Sequence, residues 1–168
     1  HQNGHGGPPP IKMMNRWFTR YLHGITNGVE NDAKAWIVRE NDSQQNPTSY
    51  KDYPNPMAEP VTFYLQEGAT YLGKLSTNKM QLNKQEIFSD NASFSAESLA
   101  KSMSSNHRLM YVSEELKQDI HISGVPEISI KASSSKKAVN LSVYLVSLPW
   151  NNNKESKITD NIITKGWA

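Results

Sequence analysis

Cysteine is absent from the 168-residue chain, which excludes a disulfide scaffold, a thiolate zinc site and a cysteine nucleophile together. That absence is compatible with a reducing or an oxidising compartment, and the working expectation is cytoplasmic. No stretch approaches 18 uninterrupted apolar residues, so no membrane-spanning helix is expected, and the N-terminus lacks the charged-then-apolar order of a secretory signal. An excess of one charge is missing too: 18 Lys plus Arg against 16 Asp plus Glu leave a net charge of +2. So small a surplus does not create the broad positive field that nucleic-acid binding needs, and that class is set aside. No Gly-x-Ser-x-Gly elbow occurs, and no glycine loop able to cradle phosphate. A complete active site is therefore not legible in these residues, and no cofactor or metal is expected. Hydrophobic residues are sparse at 36%, and Asn, Ser, Thr and Gln fill the gap.

What is present begins with residues 1–10, His-Gln-Asn-Gly-His-Gly-Gly-Pro-Pro-Pro, whose three Gly and three Pro forbid a regular helix or a central strand. From Ile11 the pattern changes. Met14, Trp17, Phe18, Tyr21 and Leu22 recur at helical spacing, with Arg16 and Arg20 on the opposite face, which predicts a helix over 11–23 ended by Gly24. Residues 33–39 have a continuous apolar centre and read as a strand buried on both faces. Residues 41–60 carry four Pro among polar residues and read as a linker. Beyond Pro60 the period becomes two: 61–66, 109–113, 119–123, 127–132 and 140–146 alternate apolar with polar and predict short strands of an antiparallel sandwich. Residues 76–107, rich in Ser and Asn, have too weak a period for any element to be assigned. Length alone allows one domain, or a small domain with part of another. Because the sequence opens at His1 and stops at Ala168 inside a segment that still reads as structured, a piece of a longer protein is expected.

The densest chemistry is the pair His1 and His5 in the opening loop. The default for two imidazoles in such a loop is a solvated polar segment. A zinc site would need a third ligand that no nearby spacing supplies, and the remaining alternative is a histidine presented as a general base. His107 and His121 lie among polar neighbours, and His121 alternates with Ile120 and Ile122, so it is expected to face solvent. Asp119, Glu114 and Glu115 straddle a turn into a strand, where solvated charge is the default. Ser133, Ser134 and Ser135 read as a turn.

Longer runs carry a resemblance. Met14-Asn15-Arg16-Trp17-Phe18-Thr19-Arg20-Tyr21-Leu22-His23-Gly24, then Asn27-Gly28-Val29-Glu30-Asn31 and Ala35-Trp36-Ile37-Val38-Arg39-Glu40, resemble the C-terminal part of Xaa-Pro dipeptidyl-peptidases, serine hydrolases whose superfamily includes the cocaine esterase type. Tyr53-Pro54-Asn55-Pro56, Glu59-Pro60-Val61-Thr62, Tyr111-Val112-Ser113-Glu114, Ser123-Gly124 and residues 140–146 are similar to the same family's sandwich. The resemblance implies a mainly β chain: a jelly-roll, galactose-binding-like β-sandwich preceded by the terminal loop, helix and strand of an α/β-hydrolase domain. The expected division is 1–40 for the end of the hydrolase domain, 41–60 for a linker and 61–168 for a truncated sandwich. It further implies that His5 is the triad histidine, with His1 in a positioning role, that the substrate is a peptide with a penultimate Pro, and that this piece packs on an upstream hydrolase domain. A homo-oligomer is allowed for. Two other readings stay open: an esterase or acylase of the cocaine esterase type, and a non-catalytic jelly-roll module binding carbohydrate or protein.

Overall fold

A computed structural model describes residues 7–38, 46–80, 84–150 and 161–167. Helix α1 (Pro10–Tyr21) begins with proline in its first turn, where a missing N–H costs nothing because that donor has no partner within a helix. It ends as the sequence predicts. The Leu22 N–H donates to Phe18 O at 2.8 Å, Gly24 takes φ 69°, and Ile25 N–H returns to Thr19 O at 3.2 Å. A 3-10 turn over Val29–Asn31 follows, entered through Gly28 at φ 72°.

Seven short strands form three separate sheets among the described residues. Strands β1 (Ala35–Ile37) and β2 (Thr48–Tyr50) pair antiparallel with Trp36 opposite Ser49. Strands β3 (Tyr64–Leu65) and β4 (Gly73–Ser76) are antiparallel, and β4 runs parallel to β5 (Tyr111–Val112). Helix α2 (Ala96–Lys101), capped by the Ser95 side chain accepting from Ser98 N–H at 3.1 Å, lies in the long connection between them. Strands β6 (Ser142–Val146) and β7 (Ile162–Trp167) close an antiparallel ribbon, and Asn161 Nδ2 donates to Ser147 O at 3.0 Å at its end. The chain is mainly β, with few helices.

Several expectations are corrected. Residues 119–123 and 127–132 form no strand. Alternation marks a half-buried strand only when a neighbour supplies the ladder, and here Ile120, Ile122, Ile128 and Ile130 stand exposed. In 61–66 only Tyr64 and Leu65 pair. The 33–39 strand is shorter, and Trp36 is exposed rather than buried on both faces; Arg39 lies outside the described residues. The Pro-rich stretch after residue 40 contributes β2, because Thr48-Ser49-Tyr50 finds a partner in β1. Residues 76–107, left unassigned above, hold α2.

Burial is concentrated between β4 and β5. Ala69 is fully buried and is the one buried apolar residue among the described residues. Beside it Arg108, 8% exposed, sends its guanidinium into backbone carbonyls: Nε to Leu99 O at 2.8 Å, Nη1 to Ala69 O and Tyr71 O at 3.0 Å each, and Nη2 to Ser102 O at 2.6 Å. Glu86 fixes the turn beneath it, accepting from the Gly68 N–H and, at 3.0 Å, from the Ala69 N–H. Gly68 sits at φ 100°, a conformation costly for any residue with a Cβ.

Candidate functional site

His5 and His1 lie outside the described residues, as does the start of their loop. The loop's described end is Gly7. A Cβ built on Gly7 would lie 3.7 Å from Pro47 Cγ and 3.8 Å from Trp36 Cβ, so the described end of the loop passes beside β1 and the residue preceding β2. Pro8 and Pro9 continue into α1 and line a cleft of about 210 Å³ with Met13, Arg16, Asp32 and Trp36. That volume is below the roughly 300–1,000 Å³ of small-molecule sites, so the cleft is a seam where the loop, α1, the 3-10 turn and β1 meet.

The polar face of α1 is engaged on its other side. Arg16 is ion-paired with Asp32 and its Nη2 donates to Asn27 O at 3.1 Å, while Asn27 Nδ2 donates to Arg16 O at 2.7 Å. Arg20 pairs with Glu30 and holds that carboxyl below the usual carboxylate range. The apolar face is left open: Met14, Trp17, Phe18, Tyr21 and Leu22 are all exposed, Trp17 by 54%, with its ring 4.3 Å from that of Tyr21. A single exposed apolar residue is ordinary, but a contiguous helical stripe of five marks a contact surface.

The other sequence candidates are dispersed over separate segments with separate partners. His107 Nδ1 lies 2.8 Å from Ser89 O, and its ring stacks on Phe94 at 5.1 Å, which makes it a tie across the Ser- and Asn-rich segment. His121 is exposed, as expected, with its Nε2 3.5 Å from the Tyr50 hydroxyl. His23 is exposed at the exit of α1. Glu114 accepts from Lys74 at 2.8 Å, and this bond keeps its carboxyl below the usual range. Ser134 Oγ accepts from the Lys136 N–H at 3.0 Å, the serine turn read from sequence. Among the described residues no three His, Asp or Glu side chains gather as a metal site would require, and no helix is long and apolar enough to cross a membrane. Sequence reasoning missed the approach of Gly7 to Trp36 and Pro47. Both neighbours are distant in sequence, and neither residue type advertises the approach.

The sequence profile of the X-Pro dipeptidyl-peptidase C-terminal non-catalytic domain matches residues 27–168. A protein of Rhodopirellula baltica, provisionally named an Xaa-Pro dipeptidyl-peptidase, is 53% identical over the whole chain, which spans 27% of that relative. A Bacillus anthracis protein with the same provisional name is 31% identical over 99% of the chain and 27% of its own length. The Xaa-Pro dipeptidyl-peptidase of Lacticaseibacillus rhamnosus is 28% identical over 93% of the chain and 19% of its length. The chain thus spans about a quarter of the length of the first two of these relatives. No solved structure matches.

Proposed function

The chain belongs to the family of the X-Pro dipeptidyl-peptidase C-terminal non-catalytic domain, and we propose that it forms the C-terminal part of a serine peptidase releasing N-terminal Xaa-Pro dipeptides through an acyl-enzyme. The observation that carries this reading is the 53% identity, sustained over all 168 residues, to a protein named for that activity. In the proposal, residues 1–40 finish an α/β-hydrolase domain, 41–60 link it onward and 61–168 contribute to a jelly-roll sandwich. The family match begins at Asn27, after α1, which leaves the His loop and the helix ahead of the part named non-catalytic.

His5 is the general base of this proposal. A serine hydroxyl attacks a carbonyl poorly until an imidazole accepts its proton, and the imidazolium then returns that proton to the departing amine. In α/β-hydrolases the triad follows the chain order Ser, Asp or Glu, then His, so the nucleophile and the acid belong upstream of this piece. The piece alone therefore turns over no substrate. The outward stripe of α1 supports the same arrangement, because it offers the upstream domain an apolar surface while Arg16 and Arg20 hold the helix to residues 27–32.

The test is kinetic. In the full-length parent, His5→Ala should lower kcat on an Xaa-Pro anilide by on the order of 10⁴ to 10⁶ with little change in KM. His1→Ala should cost less, and His23→Ala, His107→Ala and His121→Ala should be nearly neutral. A His5→Ala enzyme that keeps more than about a tenth of wild-type kcat would overturn the assignment, since that is under about 1.4 kcal/mol of barrier. A parent that cleaves simple esters but no Xaa-Pro anilide would assign the chain to the esterase reading instead.

A further inference from the structure

We propose that Asn27–Gly28 is a self-modification site: the Gly28 backbone nitrogen attacks the Asn27 side-chain amide, and loss of that amide undoes the clasp holding α1 to residues 27–32. The inference is independent of the reading of His5. Of the two Asn-Gly pairs in the sequence, this one lies within the described residues. The turn itself calls for glycine, because Gly28 takes φ 72° on entering the 3-10 turn, a conformation costly for a residue with a Cβ. The nucleophile is thereby left unhindered, and even a Cβ built on Gly28 would meet nothing within 4 Å. The electrophile, in contrast, is held at both side-chain atoms: Asn27 Oδ1 accepts from the Val29 N–H at 3.2 Å, and Nδ2 donates to Arg16 O at 2.7 Å. Arg16 returns the grip, with Nη2 donating to Asn27 O at 3.1 Å and its guanidinium ion-paired with Asp32.

In the reaction the Gly28 N–H gives up its proton, its nitrogen bonds to Asn27 Cγ, the Cγ–Nδ2 bond breaks and Nδ2 leaves as ammonia. Water then opens the cyclic imide at either carbonyl, giving aspartate or isoaspartate, so a carboxylate replaces the amide in both products. A side chain bonded at both of its polar atoms is fixed in one rotamer, and cyclisation has to turn Cγ onto the Gly28 nitrogen while Nδ2 departs from Arg16 O. The reaction therefore proceeds from molecules whose clasp is open, and its rate follows the open fraction. Its product does not close again in the same way. With an oxygen where Nδ2 stood, the donor to Arg16 O is gone and two acceptors face each other. The site is thus a one-way latch on α1, the element that presents the open apolar stripe.

The experiment ages the full-length parent at mildly alkaline pH, native and in guanidinium chloride, and follows the tryptic peptide of residues 21–34 by mass spectrometry, with fragmentation to place amide-to-acid conversion at Asn27 rather than Asn31. Unfolded wild type should convert at Asn27 at least about tenfold faster than native wild type, because the clasp is absent. Folded Arg16→Ala, which leaves both reacting residues untouched, should convert about fivefold faster than native wild type, the ratio expected for one lost hydrogen bond. In the unfolded chain Gly28→Ala should slow conversion, since a methyl group crowds the attacking nitrogen. Asn27→Asp, which carries the product's carboxylate, should be cut by trypsin after Arg16 and Arg20 about fivefold faster than wild type while the rest of the protein stays folded. No conversion in unfolded wild type, or none of the slowing by Gly28→Ala, would show that Gly28 does not attack Asn27. Equal rates in native and unfolded protein, or in folded Arg16→Ala and wild type, would remove the clasp as the gate. Trypsin cutting of Asn27→Asp at the wild-type rate would remove the latch. If Arg16→Ala does not fold, Asp32→Asn, which breaks the ion pair alone, takes its place with the same reading.

Discussion

The two best-knit regions of the chain use arginine in opposite ways. Around α1, Arg16 and Arg20 reach outward to Asp32 and Glu30, so charge meets charge at the surface and the apolar stripe is left facing away. Between β4 and β5, Arg108 points inward and its four hydrogen bonds all end on neutral carbonyls. The first arrangement orients a helix without covering it. The second substitutes for an apolar core, since a buried guanidinium with four of its five N–H donors on carbonyls ties the 69–71 turn to the end of α2. One region thus leaves an apolar face open, which the proposal covers with the upstream domain, and the other completes itself. This contrast can be broken by substitution.

The largest effect is expected at the open stripe. In the chain alone Trp17 is 54% exposed and touches Tyr21 one turn on, so Trp17→Ala should cost only about 0.5 kcal/mol, the worth of such a pair. In the full-length parent, where the proposal covers the stripe, the same change should cost about 3–5 kcal/mol, the range for a buried aromatic ring. Urea unfolding of both proteins gives the two values. Equal losses below about 1 kcal/mol in both would show that the stripe has no partner in the parent.

Next comes Arg108. Replacing it with Met keeps most of the side-chain volume and removes every donor, leaving the carbonyls of Leu99, Tyr71 and Ser102 without the bonds they accept from it. The expected loss is about 3 kcal/mol, less than four separate hydrogen bonds would sum to because the two segments relax together. Arg108→Lys should fall between, as one ammonium with three donors cannot reach all four acceptors on the 69–71 turn and the end of α2. A Met variant within about 1 kcal/mol of wild type would mean that the cage is incidental.

Local signals account for what could be read in advance. The 3-4 spacing of α1 and the Gly24 exit are properties of adjacent residues, and both appear where expected. The Arg108 cage is invisible in sequence because its acceptors at Ala69 and Tyr71 lie 39 and 37 residues away. Alternation misled at Ile120 and Ile128, since a period of two describes which side of a strand is apolar but not whether a neighbour pairs with it. Helix α2 is only six residues long, too short for a period to emerge, and its signal is the Ser95 cap alone. The approach of Gly7 to Trp36 and Pro47 escaped notice for the reason the cage did: it is made across the fold. The reading of His5 came from resemblance, and no local pattern singles that residue out over His1.

The smallest effect is a pH dependence beneath the cage. Tyr111 donates to Glu86 Oε2 at 3.2 Å, and burial, with the Glu86 carboxylate beside it, pushes the phenol up from 10 to about 12. The folded chain therefore keeps this proton where the unfolded chain has released it. A group whose folded pKa is raised contributes stability that is fully present below the unfolded value and is lost as pH rises through the folded one. Stability should accordingly be flat with respect to this group up to about pH 10 and decline from there to about pH 12. Tyr111→Phe should cost about 1 kcal/mol at neutral pH, the worth of one hydrogen bond, because Glu86 still accepts from the Gly68 and Ala69 N–H groups. The same variant should remove this contribution to the alkaline decline. Urea midpoints for wild type and Tyr111→Phe at pH 8, 10 and 11.5 make the comparison, and parallel declines would show that the phenol titrates alike in the folded and unfolded chains.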